Sequence, residues 1–120
     1  MTLTEFLLAR IAEDEAVALD AARDGEGAID WAGESGPTDV HIARWDPARI
    51  LAECEAKRRI VRRHSRTAAD HWSGAGNCEG CGFYGDTDLP YTSDSEECPE
   101  LMDLASIYAD HPDYDPAWRP

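Results

Sequence analysis

The chain has 120 residues, a net charge of −14 at pH 7 and 42% apolar residues. This length suits one domain, and the modest apolar share predicts a small core that needs a staple such as a disulfide or a metal ion. The strong negative charge disfavours nucleic acid and membrane surfaces as partners. The charge is uneven, however, because residues 44–66 carry eight basic and three acidic side chains.

A first helix is predicted from Leu3 to Arg23. Thr2 and Glu5 have the T-x-x-E spacing of a capping box, and apolar residues then recur at three- and four-residue steps. Charged residues interrupt the apolar start of this helix, so we expect neither a signal peptide nor a membrane span. A cytoplasmic protein is therefore expected, and in that compartment thiols stay reduced.

A short β-hairpin and a basic helix are predicted next. The stretch "AIDWA" (residues 28–32) is interpreted as the first strand of the hairpin. The stretch "DVHIARW" (residues 39–45) alternates in side-chain character and is interpreted as the second strand. Asp46 as N-cap and Pro47 at the first helical position then predict a basic helix that runs to about His64.

The last part of the chain is predicted to be a long loop, a third helix and a tail. The loop runs to Glu97, the helix starts at Pro99, and Tyr114 and Trp118 of the Pro-rich tail are expected to pack back on the body. The predicted fold class is α+β, mainly α: long helix, short β-hairpin, basic helix, zinc-knuckle loop, C-terminal helix and ordered tail. We expect one zinc-stabilised domain over residues 1–120.

Three of the four cysteines lie around the long loop and indicate a metal site. Cys78 and Cys81 form C-x2-C, a spacing that presents two thiolates to one metal ion. Cys98 precedes a helix, where free backbone N–H groups favour a thiolate. His64 ends the basic helix just before the loop. The spacing H-x13-C-x2-C-x16-C therefore predicts a structural Zn²⁺ bound by His64, Cys78, Cys81 and Cys98.

Other assignments of the thiols stay open. His71 is the reserve fourth ligand, and His41 and His111 are more remote candidates. Cys54 lies mid-helix on an apolar stripe, roughly 15 Å of helical rise from His64, so these two residues are not expected to share an ion. Free packed thiols, a thioredoxin-like redox pair and an iron–sulfur cluster on all four cysteines are the alternatives. The cysteine spacing is similar to that of WhiB-like iron–sulfur regulators, although the Gly-Trp-Gly-Gly turn of that family is absent.

Two runs of residues, "HIARWDPAR" (41–49) and "YADHPDY" (108–114), accompany the C-x2-C and the later Cys98-Pro99 pair. In these features the chain resembles an uncharacterised family of small proteins, a domain of unknown function, from actinobacteria and actinophages. The resemblance covers most of the chain. It implies a shared site at Cys78, Cys81 and Cys98, and it implies no activity.

The function predicted from these features is a non-enzymatic, zinc-stabilised acidic protein that binds or regulates a partner. The partner is expected to be a protein, and a phage-derived adaptor that acts on a host protein would fit the resemblance. One alternative is a nucleic-acid-binding protein that uses the basic helix at residues 57–66. Another is an iron–sulfur redox regulator. A small metalloenzyme is a third alternative, and it requires an open metal position.

Overall fold

The structure, a computed structural model, describes residues 1–24 and 36–120. These residues hold four α-helices, α1 (Leu3–Arg23), α2 (Pro37–Arg44), α3 (Pro47–Arg63) and α4 (Pro99–Ser106). They also hold three short 3-10 helices, Glu79–Cys81, Ser95–Glu97 and Pro116–Trp118. Two compact units are formed, one by Met1–Ala9 with Arg58–Pro120 and the other by Arg10–Lys57.

The predicted α+β class, with its β-hairpin, is wrong, and the described residues are mainly helical. Residues 39–45, expected as a strand, lie in α2 and its C-cap Trp45. The expected partner strand at residues 28–32 lies outside the described residues. The described part of the chain has two isolated β-bridges, Arg66 with Cys78 and Phe83 with Pro90, and no strand.

The error at α2 has a physical reason. The helix has eight residues and none of them is buried, and over so short a stretch a helical period is not separated clearly from an alternating one. The signal that favours a helix is Pro37 in the first turn, where its missing N–H costs nothing. The position of this one proline was therefore a better indicator of secondary structure than the alternation of side chains over a few residues.

The start of α1 has the predicted capping box. The backbone N–H of Glu5 donates to Thr2 Oγ1, and the backbone N–H of Thr2 donates to Glu5 Oε2, both at 3.1 Å. In the unit that contains residues 1–9, Leu3 and Phe6 are fully buried. The backbone N–H of Leu3 also donates to Glu96 Oε2 at 2.9 Å, which ties the first turn of α1 to the segment just before α4.

Phe6 is the centre of an aromatic cluster in the same unit. Its ring lies 5.0 Å from the Trp118 ring, 5.9 Å from Tyr114 and 6.3 Å from Tyr108, measured between centroids. Tyr114 and Trp118 are buried, so the prediction that these two side chains pack back is confirmed. We call Phe6, Tyr108, Tyr114 and Trp118 the Phe6 cluster. Edge-to-face and tilted rings of this kind add to the free energy gained by apolar burial.

The basic helix α3 begins and ends close to its predicted bounds. Asp46 Oδ1 accepts a hydrogen bond from the backbone N–H of Arg49 at 2.9 Å, as expected of an N-cap residue. In the Arg10–Lys57 unit, Cys54 is buried and its Sγ donates to the carbonyl of Ile11 at 3.7 Å. Cys54 therefore behaves as a small core residue with a weak donor.

Each described helix is too short or too polar to cross a lipid bilayer.

Candidate metal centre

The segment between α3 and α4 has little regular structure but is pinned by backbone hydrogen bonds. The N–H of Glu79 donates to the carbonyl of Ser65, and the N–H of Cys78 donates to the carbonyl of Thr92, both at 3.0 Å. These bonds fold the chain back on itself after α3. They bring the C-x2-C turn to the end of that helix, where His64 lies.

A buried asparagine, which was not singled out from the sequence, shapes the turn before the first cysteine of this segment. The side-chain nitrogen of Asn77 donates to Ser73 Oγ at 3.1 Å and to the carbonyl of Gly74 at 3.2 Å. Its backbone N–H donates to Thr67 Oγ1 at 3.0 Å. Asparagine is common in turns because its amide bonds to nearby backbone, and its position directly before Cys78 was the available signal.

The structure brings together the four residues that were predicted as ligands. One ligand atom from each of His64, Cys78, Cys81 and Cys98 lies within 4.8 Å of the others. His64 Nδ1 is 3.4 Å from the Sγ atoms of Cys78 and Cys98 and 3.6 Å from that of Cys81. Cys98 Sγ is 3.6 Å from both other sulfur atoms. We call this group the Cys3His cluster.

These distances fit a tetrahedral metal ion. Bonds of about 2.3 Å to sulfur and about 2.0 Å to nitrogen give tetrahedral edges of about 3.8 Å between sulfurs and about 3.5 Å between sulfur and nitrogen. The measured separations of 3.4–3.6 Å lie within a few tenths of an ångström of those edges. The Cys3His cluster could therefore hold one ion, with Nδ1 as the histidine ligand atom.

Burial controls the ionisation of two of the thiols. Cys78 and Cys98 are fully buried. Burial raises the pKa of the Cys98 thiol far above its ordinary value, although the backbone N–H of Leu101 in α4 acts in the opposite direction. Burial also raises the pKa of Cys78. The helix terminus alone therefore does not stabilise a thiolate here, and a cation bound among the sulfurs would supply that stabilisation.

Two glycines of the C-x2-C turn have different roles. A Cβ atom on Gly80 would lie 2.0 Å from the carbonyl oxygen of Arg63, so only glycine lets the turn approach the end of α3 this closely. Gly82 has φ of 84°, in the left-handed region that other residues rarely adopt. Gly82 therefore relieves backbone strain in the turn, whereas Gly80 allows close approach to the helix.

The other histidines considered as ligands contact residues outside the Cys3His cluster. His71 Nδ1 is 2.7 Å from Ser73 Oγ, and its Nε2 is 3.7 Å from Glu79 Oε1. The ring of His41 stacks on Trp45 at 4.9 Å. None of these histidines belongs to the Cys3His cluster, and neither does His111, whose ring packs on Phe6.

One carboxylate near the cluster was not predicted. Glu100 Oε2 lies 3.7 Å from the Sγ atoms of Cys81 and Cys98 and 3.9 Å from His64 Nδ1. Glu100 is in the first turn of α4, where a negative charge is favoured by the free N–H groups of the helix. Its side chain is half exposed, and the sequence signal was its place two residues after Cys98.

Over residues 1–120 the chain matches the sequence model of a family described as a family of unknown function (DUF6221). The chain belongs to this family. The predicted resemblance to an uncharacterised family is therefore confirmed, whereas the origin in actinobacteria and actinophages stays a prediction. No curated protein and no solved structure gives a significant match to the chain.

Proposed function

We propose that this protein is a non-enzymatic binding or regulatory protein in which one structural Zn²⁺ stabilises the segment between α3 and α4. The Cys3His cluster is the observation that carries this proposal. Three thiolates and one imidazole are a donor set typical of structural zinc sites. With four protein ligands, no coordination position is left for a substrate or a catalytic water, and this supports a structural rather than a catalytic ion.

The donor set also favours zinc over an iron–sulfur cluster. A cluster on all four cysteines would need Cys54, whose thiol instead donates to the carbonyl of Ile11 in the core of the Arg10–Lys57 unit. The three remaining cysteines surround a histidine nitrogen at distances suited to a single ion. A redox-sensing role built on iron is therefore the weaker proposal.

The charge of the chain supports a protein partner. At −14, the protein repels polyanions and attracts a partner that presents a basic surface. We propose that this partner is a protein in the cytoplasm, and a host protein if the family has the predicted phage origin. In this proposal the ion takes part in no reaction. Its role is to hold the loops that carry the exposed side chains.

Metal analysis on protein purified without oxygen tests the zinc proposal. We expect one Zn²⁺ per chain, a colourless solution, and loss of the metal when Cys78 is replaced by serine. The matched variant Cys54→Ser should keep its zinc. A brown protein that contains iron and loses it in Cys54→Ser would replace this proposal with the iron–sulfur alternative. Protein without any bound metal, even after refolding with zinc, would remove it altogether.

A stripe of exposed arginines supports a second candidate function. Arg59, Arg62, Arg63 and Arg66 are exposed, and within residues 1–24 and 36–120 none of them lies in an ion pair. The three- and four-residue spacing of Arg59, Arg62 and Arg63 places them along one side of the end of α3, and Arg66 follows three residues after the helix ends. Such a stripe suits phosphate groups, so nucleic-acid binding is the second proposal.

Salt-dependent binding tests this second proposal. Duplex DNA should bind at low salt and weaken steeply as salt rises, and replacing the four arginines by glutamine should abolish binding. The control for net charge is a variant in which four other lysines or arginines, Arg23 and Arg119 among them, are replaced by glutamine. No binding at low salt would dismiss this function without affecting the zinc proposal.

A further inference from the structure

An exposed tryptophan lies in a shallow pocket beside the C-x2-C turn. Trp72 is 63% exposed, although it is the largest apolar side chain of its segment. Its ring lies 4.6 Å from the ring of Phe83, measured between centroids. These two rings and the turn at residues 85–88 line the pocket, which we call the Trp72 pocket.

Hydrogen bonds fix the turn that closes one side of the Trp72 pocket. The N–H of Tyr84 donates to the carbonyl of Leu89 at 2.9 Å, and the N–H of Thr87 donates to the carbonyl of Tyr84 at 3.0 Å. Thr87 Oγ1 donates to the same carbonyl and accepts from the N–H of Leu89. This network holds the turn in one shape, so the pocket needs little ordering when a ligand binds.

The lining of the pocket suits a cation. Asp86 and Asp88 are exposed on the turn, and the described lining contains no basic residue. The face of a tryptophan ring attracts cations through its quadrupole, and it does so more strongly than the faces of other aromatic side chains. An aromatic face with carboxylates beside it matches a guanidinium group, which stacks flat and pairs with carboxylate oxygens through its planar fork.

Elsewhere in this chain, an arginine lies over a tryptophan ring and pairs with a carboxylate. In the Arg10–Lys57 unit, the guanidinium carbon of Arg49 lies 4.3 Å from the centroid of the Trp45 ring. Arg49 Nε also bonds to Glu53 Oε1 at 3.1 Å, so one arginine joins a tryptophan face to a carboxylate. Among residues 1–24 and 36–120, no lysine or arginine lies over Trp72. The Trp72 pocket therefore has the ring and the carboxylates but lacks the arginine.

We propose that the Trp72 pocket binds an arginine side chain of a partner protein, with Trp72 under the guanidinium and Asp86 or Asp88 as its acceptor. This inference rests on the proposed function, because it names the contact that a basic protein partner would make. Trp72 is exposed in the free protein, and the arginine side chain of the partner would cover it. Tryptophan and arginine are enriched among the residues that dominate interface energies.

A pair of matched peptides tests the proposal by NMR. The probes are N-acetyl-Gly-Arg-Gly-amide and the same peptide with citrulline, which has nearly the same shape and no charge. We expect the arginine peptide to shift the indole N–H signal of Trp72 in a saturable way. The citrulline peptide should bind about tenfold more weakly or worse. Equal binding of both peptides, or no shift at millimolar peptide, would overturn the proposal.

Variants separate a specific pocket from general attraction to an acidic protein. The double change Asp86→Asn, Asp88→Asn should weaken arginine-peptide binding to the level of the citrulline peptide. The control Asp103→Asn, Asp110→Asn removes the same charge from exposed positions of the same unit and should have little effect. Equal losses in the two double variants would overturn the proposal.

Metal content measured on every sample keeps the two proposals distinguishable. Protein that binds one Zn²⁺ but ignores the arginine peptide would remove the inference about Trp72 and leave the zinc site standing. Protein that lacks zinc but binds the arginine peptide through Trp72 would do the reverse. The change Trp72→Phe, which keeps an aromatic ring with a weaker quadrupole, should bind the peptide more weakly while retaining zinc.

Discussion

The Phe6 cluster and the segment at residues 65–98 belong to the same unit and are held by different interactions. The Phe6 cluster joins Phe6 to three other aromatic side chains, and the nearby Leu3 and Leu101 are also fully buried. The segment 65–98 instead buries polar residues, among them Thr67 and Asn77. Burial of apolar area gives a large free energy, whereas a hydrogen bond contributes only about 1 kcal/mol net.

This difference is the reason to expect that the segment 65–98 depends on the proposed metal ion and that the Phe6 cluster does not. A segment with so little apolar burial has a small free energy to offset the conformational entropy of ordering it. An ion bound by the four side chains of the Cys3His cluster would supply a large additional free energy, because it would bind the folded arrangement and not the unfolded chain. The following predictions test that contrast, from the largest expected effect to the smallest.

Removal of the metal should give the largest effect and should affect the two regions unequally. Structural zinc in small domains contributes about 10–16 kcal/mol of binding free energy. After chelation, we expect amides in residues 65–98 to lose protection from hydrogen exchange, while the indole signal of Trp118 keeps its folded position. Uniform loss of protection in both regions would show that the metal and the Phe6 cluster form one cooperative structure. Unchanged protection in residues 65–98 would contradict a structural role for the ion.

Phe6→Ala should destabilise the protein through the apolar region. Truncation of a fully buried phenylalanine leaves a cavity and costs about 3–5 kcal/mol of the free energy of unfolding. Denaturant unfolding of the zinc-loaded protein measures this loss. The control on the same helix is Leu8→Ala, because Leu8 is 41% exposed and should cost much less. A cost below about 1 kcal/mol for Phe6→Ala would mean that the aromatic cluster adds little to stability.

Gly80→Ala should disturb the cluster without removing a ligand. The added methyl group would meet the carbonyl oxygen of Arg63 at 2.0 Å, and overpacking of this kind costs about 1–3 kcal/mol. We therefore expect weaker zinc binding in competition with a chromophoric chelator. Gly36→Ala is the control, since Gly36 has φ of −119° and its added Cβ would meet only the end of the Asp39 side chain at 3.4 Å, so this change should leave zinc affinity unchanged. Equal zinc affinities of Gly80→Ala and the unmodified protein would contradict the close approach of the turn to α3.

Cys54→Ala should give the smallest effect. The change removes a buried thiol that is outside the Cys3His cluster, so we expect a loss of about 1 kcal/mol and an unchanged zinc content. Metal analysis and thermal unfolding of the variant measure the two quantities. Loss of the metal in this variant would bring Cys54 into the site and favour the iron–sulfur alternative.

Much of the helical structure could be predicted because its signals are local. The capping box of Thr2 and Glu5 and the N-cap at Asp46 act within a few residues, and both are present with hydrogen bonds of 2.9–3.1 Å. Leu3 and Phe6 belong to the three- and four-residue apolar repeat that predicted α1, and both are fully buried. The strand predicted at residues 39–45 was wrong because α2 is only eight residues long and buries none of them, so a short alternation of side chains was not a reliable sign of a strand.

The candidate site was predicted in part for the same reason. The spacing of Cys78 and Cys81 is a local property, and His64 and Cys98 could be assigned because each lies at a helix end that borders the loop. Whether His64 or His71 joins the cysteines depended on the path of the loop, which the backbone bonds of Ser65 and Thr92 determine. The requirement for glycine at position 80 and the approach of Glu100 depend on that path as well.

The sequence by itself determined the bounds of α1 and α3 to within a residue or so and the set of residues able to bind a metal ion, because capping, periodicity and ligand type are properties of neighbouring residues. The tertiary structure alone decided which histidine faces the three sulfurs, why Gly80 cannot be larger, and that Trp72 and two aspartates line one pocket. Those features depend on contacts between residues far apart in the chain, and such contacts form only when the whole unit is packed.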